Sequence, residues 1–201
     1  MPGIMNLLAL CVAGYLLGSL PFAVIVSRLF GLADPRSYGS HNPGATNVLR
    51  SGNKTAAALT LAGDAAKGWL AVWLTLTLRL DADPAAAALA GLAAFIGHAF
   101  PVFLRFKGGK GVATALGVLL GLSPGLALGA AGCWLLVALL TRYSSLAALV
   151  TALLVAIAAW PLFGDPRVAA CIVMLCAILI WRHESNIRKL MAGTEGRIGK
   201  R

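Results

Sequence analysis

The 201-residue chain is 59% hydrophobic and only 12% charged, with a mean hydropathy of +0.84, which excludes an ordinary soluble globular domain. Seventeen Lys and Arg against seven Asp and Glu leave a net charge of +10. Most of these basic residues fall in breaks between apolar runs, so the excess follows the sidedness of a membrane protein rather than a nucleic-acid surface.

A spanning helix needs about 20 mostly apolar residues. In chain order, spans are predicted near 4–27, 55–79, 85–105, 125–141, 145–163 and 166–182, with a shorter apolar piece at 112–122. The first run lacks a basic leading region and a small-residue cleavage site, so it reads as a retained span and not a signal peptide. Cys11, Cys133, Cys171 and Cys176 all lie in apolar stretches without zinc or disulfide-framework spacing, and the scattered histidines give no metal-site pattern. No cofactor motif and no repeat of fixed period is present.

Whether 112–122 crosses decides the downstream topology, and charge discriminates. With seven crossings and the N-terminus outside, 14 of the 17 basic residues lie on the inner side. The outer connections are then Asp81-Ala82-Asp83-Pro84, Leu122-Ser123-Pro124 and Phe163-Gly164-Asp165-Pro166, with only Arg79 and Arg167 nearby. With six crossings Arg142 moves outside and the basic tail leaves the cytoplasm. The positive-inside bias favours seven. The expectation is an all-α polytopic membrane protein, 1–201 forming a single membrane-embedded domain. It has seven transmembrane helices, N-terminus outside, C-terminus cytoplasmic, and one segment (112–122) short.

That topology puts three glycine-rich polar patches on one face. The first runs Gly39-Ser40-His41-Asn42-Pro43-Gly44-Ala45-Thr46-Asn47-Val48-Leu49-Arg50. Pro43-Gly44 and Asn42 are tight-loop residues, but a loop alone does not explain Ser40, Thr46, Asn47 and Arg50 so close together. A helix capped by Thr46 or Asn47, with Arg50 one turn in on the face of Thr46, would be an anion site. In the second patch, Gly63-Asp64-Ala65-Ala66-Lys67-Gly68, Asp64 and Lys67 share a helix face at i, i+3. They read equally as an ion pair holding the bundle and as substrate contacts.

The third patch, Phe106-Lys107-Gly108-Gly109-Lys110-Gly111, lacks the nucleotide P-loop pattern. Two lysines among glycines entering a helix suit an anion, and they also suit a positive-inside anchor. His98, just upstream, reads more readily as a hydrogen-bonded interface residue than as a catalyst. After the last span comes Arg182-His183-Glu184-Ser185-Asn186-Ile187-Arg188-Lys189. A basic tail on anionic lipid accounts for Arg188 and Lys189, but not for His183 and Asn186, which share a helix face at i, i+3.

From Gly18-Ser19-Leu20-Pro21-Phe22, through all three patches, to His183, Asn186 and Gly193-Thr194-Glu195, the chain resembles the bacterial integral-membrane glycerol-3-phosphate acyltransferases that use acyl-phosphate as donor. His41 departs from the pattern, since the family commonly has glycine there. The resemblance implies transfer of a fatty acyl group from acyl-phosphate to the sn-1 hydroxyl of glycerol-3-phosphate, giving lysophosphatidate and inorganic phosphate in phospholipid biosynthesis. It implies an enzyme of the bacterial inner (plasma) membrane, with its site facing the cytoplasm, surrounded by membrane lipid and functionally coupled to an enzyme that makes acyl-phosphate.

Carried over position by position, the resemblance implies a catalytic set of His183, Asn186, Ser40, Arg50 and Lys110. Substrate phosphate would meet Gly39, Asn42, Gly44, Thr46, Asn47, Lys107, Gly108, Gly109, Gly111 and Ser145, with Asp64, Lys67 and His98 in support. The alternative from another class is a small membrane transporter of a phosphorylated or anionic solute. It fits the glycine breaks and the intramembrane charges, but not the one-sided clustering of the patches or the short outer connections.

Overall fold

The computed structural model describes residues 2–78 and 83–199. Arg79, Asp81 and Ala82 of the expected outer connection, and Lys200 and Arg201 of the expected inner tail, lie outside the described residues. The described chain is all-helical. It runs α1 (Pro2–Gly18), α2 (Phe22–Leu29), α3 (Ala45–Leu49), α4 (Lys54–Leu78), α5 (Pro84–Ala99), a 3₁₀ turn (Val102–Leu104), α6 (Val112–Leu122), α7 (Pro124–Thr141), α8 (Ser144–Phe163), α9 (Pro166–Arg182) and α10 (Glu184–Met191).

Three starts follow one chemical rule. Asp83, Ser123 and Asp165 each stand directly before a proline and cap the helix that follows, accepting from Ala85, Leu126 and Arg167 amides. Proline in the first turn has no N–H to lose, and the capping oxygen takes an amide that the helix leaves free.

Among the described residues, four stretches are long and apolar enough to cross a membrane: Ile4–Leu29, Pro84–Leu104, Pro124–Thr141 and Ser144–Phe163. α9 and α10, bent by 56° at their junction, make a fifth if taken together. The other two expected spans correspond to α4 and α6. α4 has 25 residues, about 37 Å at the standard rise, but Asp64 and Lys67 interrupt its apolar run. α6 has 11 residues, about 16 Å long. The predicted first span is broken at Ser19–Pro21, where proline disfavours helix in the residue before it.

Small residues let the helices approach at backbone distance. A Cβ at Gly18 would overlap the Ala94 backbone, one at Gly97 the Tyr15 carbonyl, and one at Gly117 the Ala65 carbonyl. Those contacts lock α1 to α5 and α4 to α6, the mode expected where lipid removes the hydrophobic drive for association. The central core joins α4, α5, α6 and α9 through Val72, Phe95, Val118 and Ile172. A smaller cluster, Val26, Val48 and Ala56, fastens α2 and α3 onto α4.

Candidate active site

The connections after α2, before α6, between α7 and α8, and after α9 come together at one end of the bundle. Thr46 Oγ1 lies 3.4 Å from Ser144 Oγ, joining the first patch to the start of α8. The Lys110 ammonium donates to the Asn186 side-chain carbonyl, joining the third patch to α10. Asn186 Nδ2 donates to Glu195 Oε1 at 2.8 Å, and the same oxygen accepts from Ser145 Oγ at 2.5 Å. The chain after α10 lies across the α7–α8 junction. The Ile198 amide donates to the Arg142 carbonyl at 2.7 Å, and Arg142 Nη2 donates to the Ile198 carbonyl at 2.9 Å. That docking carries Glu195 into the cluster.

The electrostatics are those of an anion site. Burial pushes the Lys110 ammonium down to about 8; Glu195 opposes this, while Lys189, Arg182 and Arg50 add to it. Three cations acting on a fourth are stabilised by any anion that enters. His183 sits at the α9–α10 junction, 3% exposed. Its Nδ1 is 2.8 Å from the Leu179 carbonyl, which can only accept. The proton is therefore on Nδ1, leaving Nε2 as a free acceptor. Burial lowers the imidazole to about 4, so it is neutral at pH 7.

Arg50 ends α3, and its guanidinium lies beside Gly39 and Gly196: a Cβ at either glycine would come within 3.3 Å of it. Ser40 is exposed, and its amide donates to Asn47 Oδ1 at 3.0 Å. The first patch departs from expectation in its cap. α3 spans only five residues, its N-cap is Gly44, and no side chain caps it. Asn47 is instead a buried brace, donating to the Pro35 carbonyl at 2.6 Å and the Tyr38 carbonyl at 3.1 Å. Those carbonyls have no helical partner, so they draw the amide inward. Arg50 is thus at the end of the helix, not one turn inside it. Asn42 is half-buried beside Gly44, and His41 turns its Nδ1 to the Arg36 carbonyl at 3.0 Å, away from the cluster.

In the third patch Lys107 is exposed and stands apart from the Lys110 network. The Gly108 and Gly109 carbonyls accept from Arg182 at 2.9 and 3.2 Å. Gly111 takes φ +83, and a Cβ there would strike the Phe95 ring. Asp64, Lys67 and His98 are buried together behind this loop. Lys67 Nζ is 2.8 Å and His98 Nδ1 3.3 Å from Asp64 Oδ1. Sequence reasoning missed Glu195 as a site residue. The available signal was one carboxylate between glycines in a basic tail.

A model of the glycerol-3-phosphate acyltransferase family matches residues 8–193. The glycerol-3-phosphate acyltransferase of Aromatoleum aromaticum is 62% identical over 195 residues, covering 97% of this chain and 98% of that protein. That of Laribacter hongkongensis is 63% identical over 198 residues, with 97% and 98% covered. The crystal structure of PlsY (YgiH), an integral membrane glycerol 3-phosphate acyltransferase, in its glycerol 3-phosphate form superposes with a TM-score of 0.90 at 37% identity, covering 96% of each chain. Its lysophosphatidic acid form gives 0.89 at 36% identity. A match this long, in both sequence and fold, places the chain in the glycerol-3-phosphate acyltransferase family.

Proposed function

We propose that this protein moves a fatty acyl group from acyl-phosphate to the sn-1 hydroxyl of glycerol-3-phosphate, releasing lysophosphatidate and inorganic phosphate. It acts as one membrane-embedded domain of the bacterial inner membrane, with seven crossings, N-terminus outside and the site at the cytoplasmic face. The observation that carries this reading is the meeting of Lys110, with its lowered pKa, and Asn186 beside a neutral His183 whose Nε2 is free. A cationic cluster suits two phosphates, and an acceptor nitrogen suits one hydroxyl.

Acyl-phosphate is a mixed anhydride and needs orientation and charge stabilisation more than a strong base. Ser40, Thr46, Arg50 and Lys110 hold phosphate, and Arg50 offers the planar fork that matches it. A hydrogen bond to His183 Nε2 first orients the substrate hydroxyl, which then turns its proton to a phosphate oxygen as its own oxygen attacks the acyl carbonyl carbon. The carbon–oxygen bond to phosphate breaks, and the hydroxyl proton ends on phosphate. An imidazole with a pKa of about 4 is a weaker proton acceptor than a phosphate whose second pKa is about 6. His183 therefore orients the nucleophile and does not deprotonate it. The labile donor favours direct supply by an acyl-phosphate-producing enzyme.

The test is phosphate release by the purified protein given palmitoyl-phosphate, with and without glycerol-3-phosphate, and without added metal or coenzyme A. The expected result is release that depends on glycerol-3-phosphate, with lysophosphatidate in equal amount. Release indifferent to glycerol-3-phosphate would overturn the reaction.

A further inference from the structure

Lys110 and His183 each adjoin a residue gripped at the same place. From one side His98 holds the Gly108-Gly109 dipeptide. Its carbonyl accepts the Gly109 amide at 3.1 Å, and its imidazole packs so close that a Cβ on Gly109 would overlap Nε2. From the other side Arg182 donates to the Gly108 and Gly109 carbonyls at 2.9 and 3.2 Å. Arg182 is seated in turn on the Phe100 ring, 5.2 Å from its centroid, so both jaws rest on the end of α5. Lys110 follows Gly109 directly, and His183 follows Arg182.

Behind His98 stands a pair that the chemistry leaves unexplained. Asp64 and Lys67 are each 2% exposed. Such a pair inside a span is a poor source of stability compared with apolar side chains of the same volume. Lys67 has a structural task, donating to the Leu20 carbonyl at 2.9 Å where α1 breaks into α2. That task needs no histidine. The remaining contact sets Asp64 Oδ1 3.3 Å from Nδ1 of the His98 ring that lies against Gly109.

We infer that His98, packed beside Asp64, and Arg182 are positioning residues that clamp Gly108-Gly109 and thereby fix the Lys110 ammonium relative to the His183 imidazole. The inference rests on the reading of Lys110 and His183 as substrate-facing groups. Both jaws act through the dipeptide, Arg182 in addition to its charge near Lys110. Opening either one frees the same loop, and displacement of a reacting group by about 1 Å is enough for a hundredfold loss.

The experiment is a double-mutant cycle on kcat/KM with purified His98→Gln, Arg182→Gln and the pair, alongside thermal unfolding. Each single change is expected to lower kcat/KM by about ten- to a hundredfold, and the pair to be no worse than the worse single. Arg182→Lys, keeping one carbonyl contact, is expected to recover part of the Arg182→Gln loss, which general destabilisation would not provide. Losses that multiply, wild-type kcat/KM in either single, or no recovery with lysine would overturn the clamp. If His98→Gln does not purify folded, Gly109→Ala tests the same jaw, because its Cβ drives the loop off the imidazole. Wild-type kinetics there would also overturn the clamp. Full activity in Lys110→Ala would instead overturn the underlying site reading, which the His98 and Arg182 variants do not test.

Discussion

Ser145 donates its hydroxyl to Glu195 at 2.5 Å although fifty positions separate them in the chain. The same carboxylate oxygen holds Asn186, and Asn186 holds Lys110. One acidic residue in the tail therefore orders groups from three other connections. Glu195→Ala leaves both donors without their acceptor and removes the countercharge near Lys110. Hydrogen bonds to charged groups contribute about 1.5–3 kcal/mol each, so kcat/KM is expected to fall by more than about tenfold. Glu195→Gln, which keeps an acceptor oxygen, should lose less. Steady-state kinetics of the two variants decide it, and an unimpaired Glu195→Ala would contradict the network.

His183 makes a stability prediction with a defined sign. Its folded pKa of about 4 lies below its ordinary 6.5, because burial disfavours the charged ring. Between those values the unfolded chain binds more protons than the folded one. The imidazole's contribution is therefore complete above pH 6.5 and is lost as pH falls through about 4. Thermal unfolding from pH 7 to pH 4 should show this loss, and His183→Gln should flatten it. In kinetics the same substitution should lower kcat, since the amide does not reproduce the Nε2 geometry. A pH slope equal to wild type would remove the neutral, Nδ1-protonated assignment.

How much of this was legible in the chain depended on the reach of each interaction. Asp83-Pro84, Ser123-Pro124 and Asp165-Pro166 marked helix starts because cap and proline act within a few residues of one another. The clustering of the patches was readable from hydropathy and the distribution of basic residues, since both report which ends of the helices lie together. The partners of Asn47 were not, because Pro35 and Tyr38 meet it only after the loop closes on itself. Arg182 and Gly108, 74 positions apart, leave no local trace, and neither does the Ser145–Glu195 pair. The break in the first span was half visible: Pro21 was plain, but the apolar run continued through it.

Lys110 should set the alkaline side of the reaction. With its ammonium brought down to about 8 by burial, rising pH removes the positive charge that phosphate requires. The logarithm of kcat/KM should bend downward near pH 8. Lys110→Arg keeps its charge throughout that range, so whatever activity it retains should lack this bend. An unchanged bend in the arginine variant would assign the titration to another group.

Gly39 tolerates a side chain less well than Gly44, the other glycine of the first patch. Its φ of +60 lies in the left-handed region, which costs a residue with a Cβ about 1–2 kcal/mol. Sterics add to that. A Cβ there would overlap Asn47 Oδ1, the atom that receives the Ser40 amide, and would stand 3.1 Å from Arg50 Cδ and 3.2 Å from its Nη1. Gly39→Ala thus displaces the brace and the guanidinium together, and should raise KM for glycerol-3-phosphate by about tenfold or more, the cost of one misplaced charged hydrogen bond. Arg50→Lys tests the same contact without straining the backbone. A lone ammonium does not make the two parallel bonds of a guanidinium, so its KM should rise while the melting temperature stays near wild type. Wild-type KM in Arg50→Lys would remove Arg50 from the phosphate clamp and leave Gly39 important only for the shape of its loop.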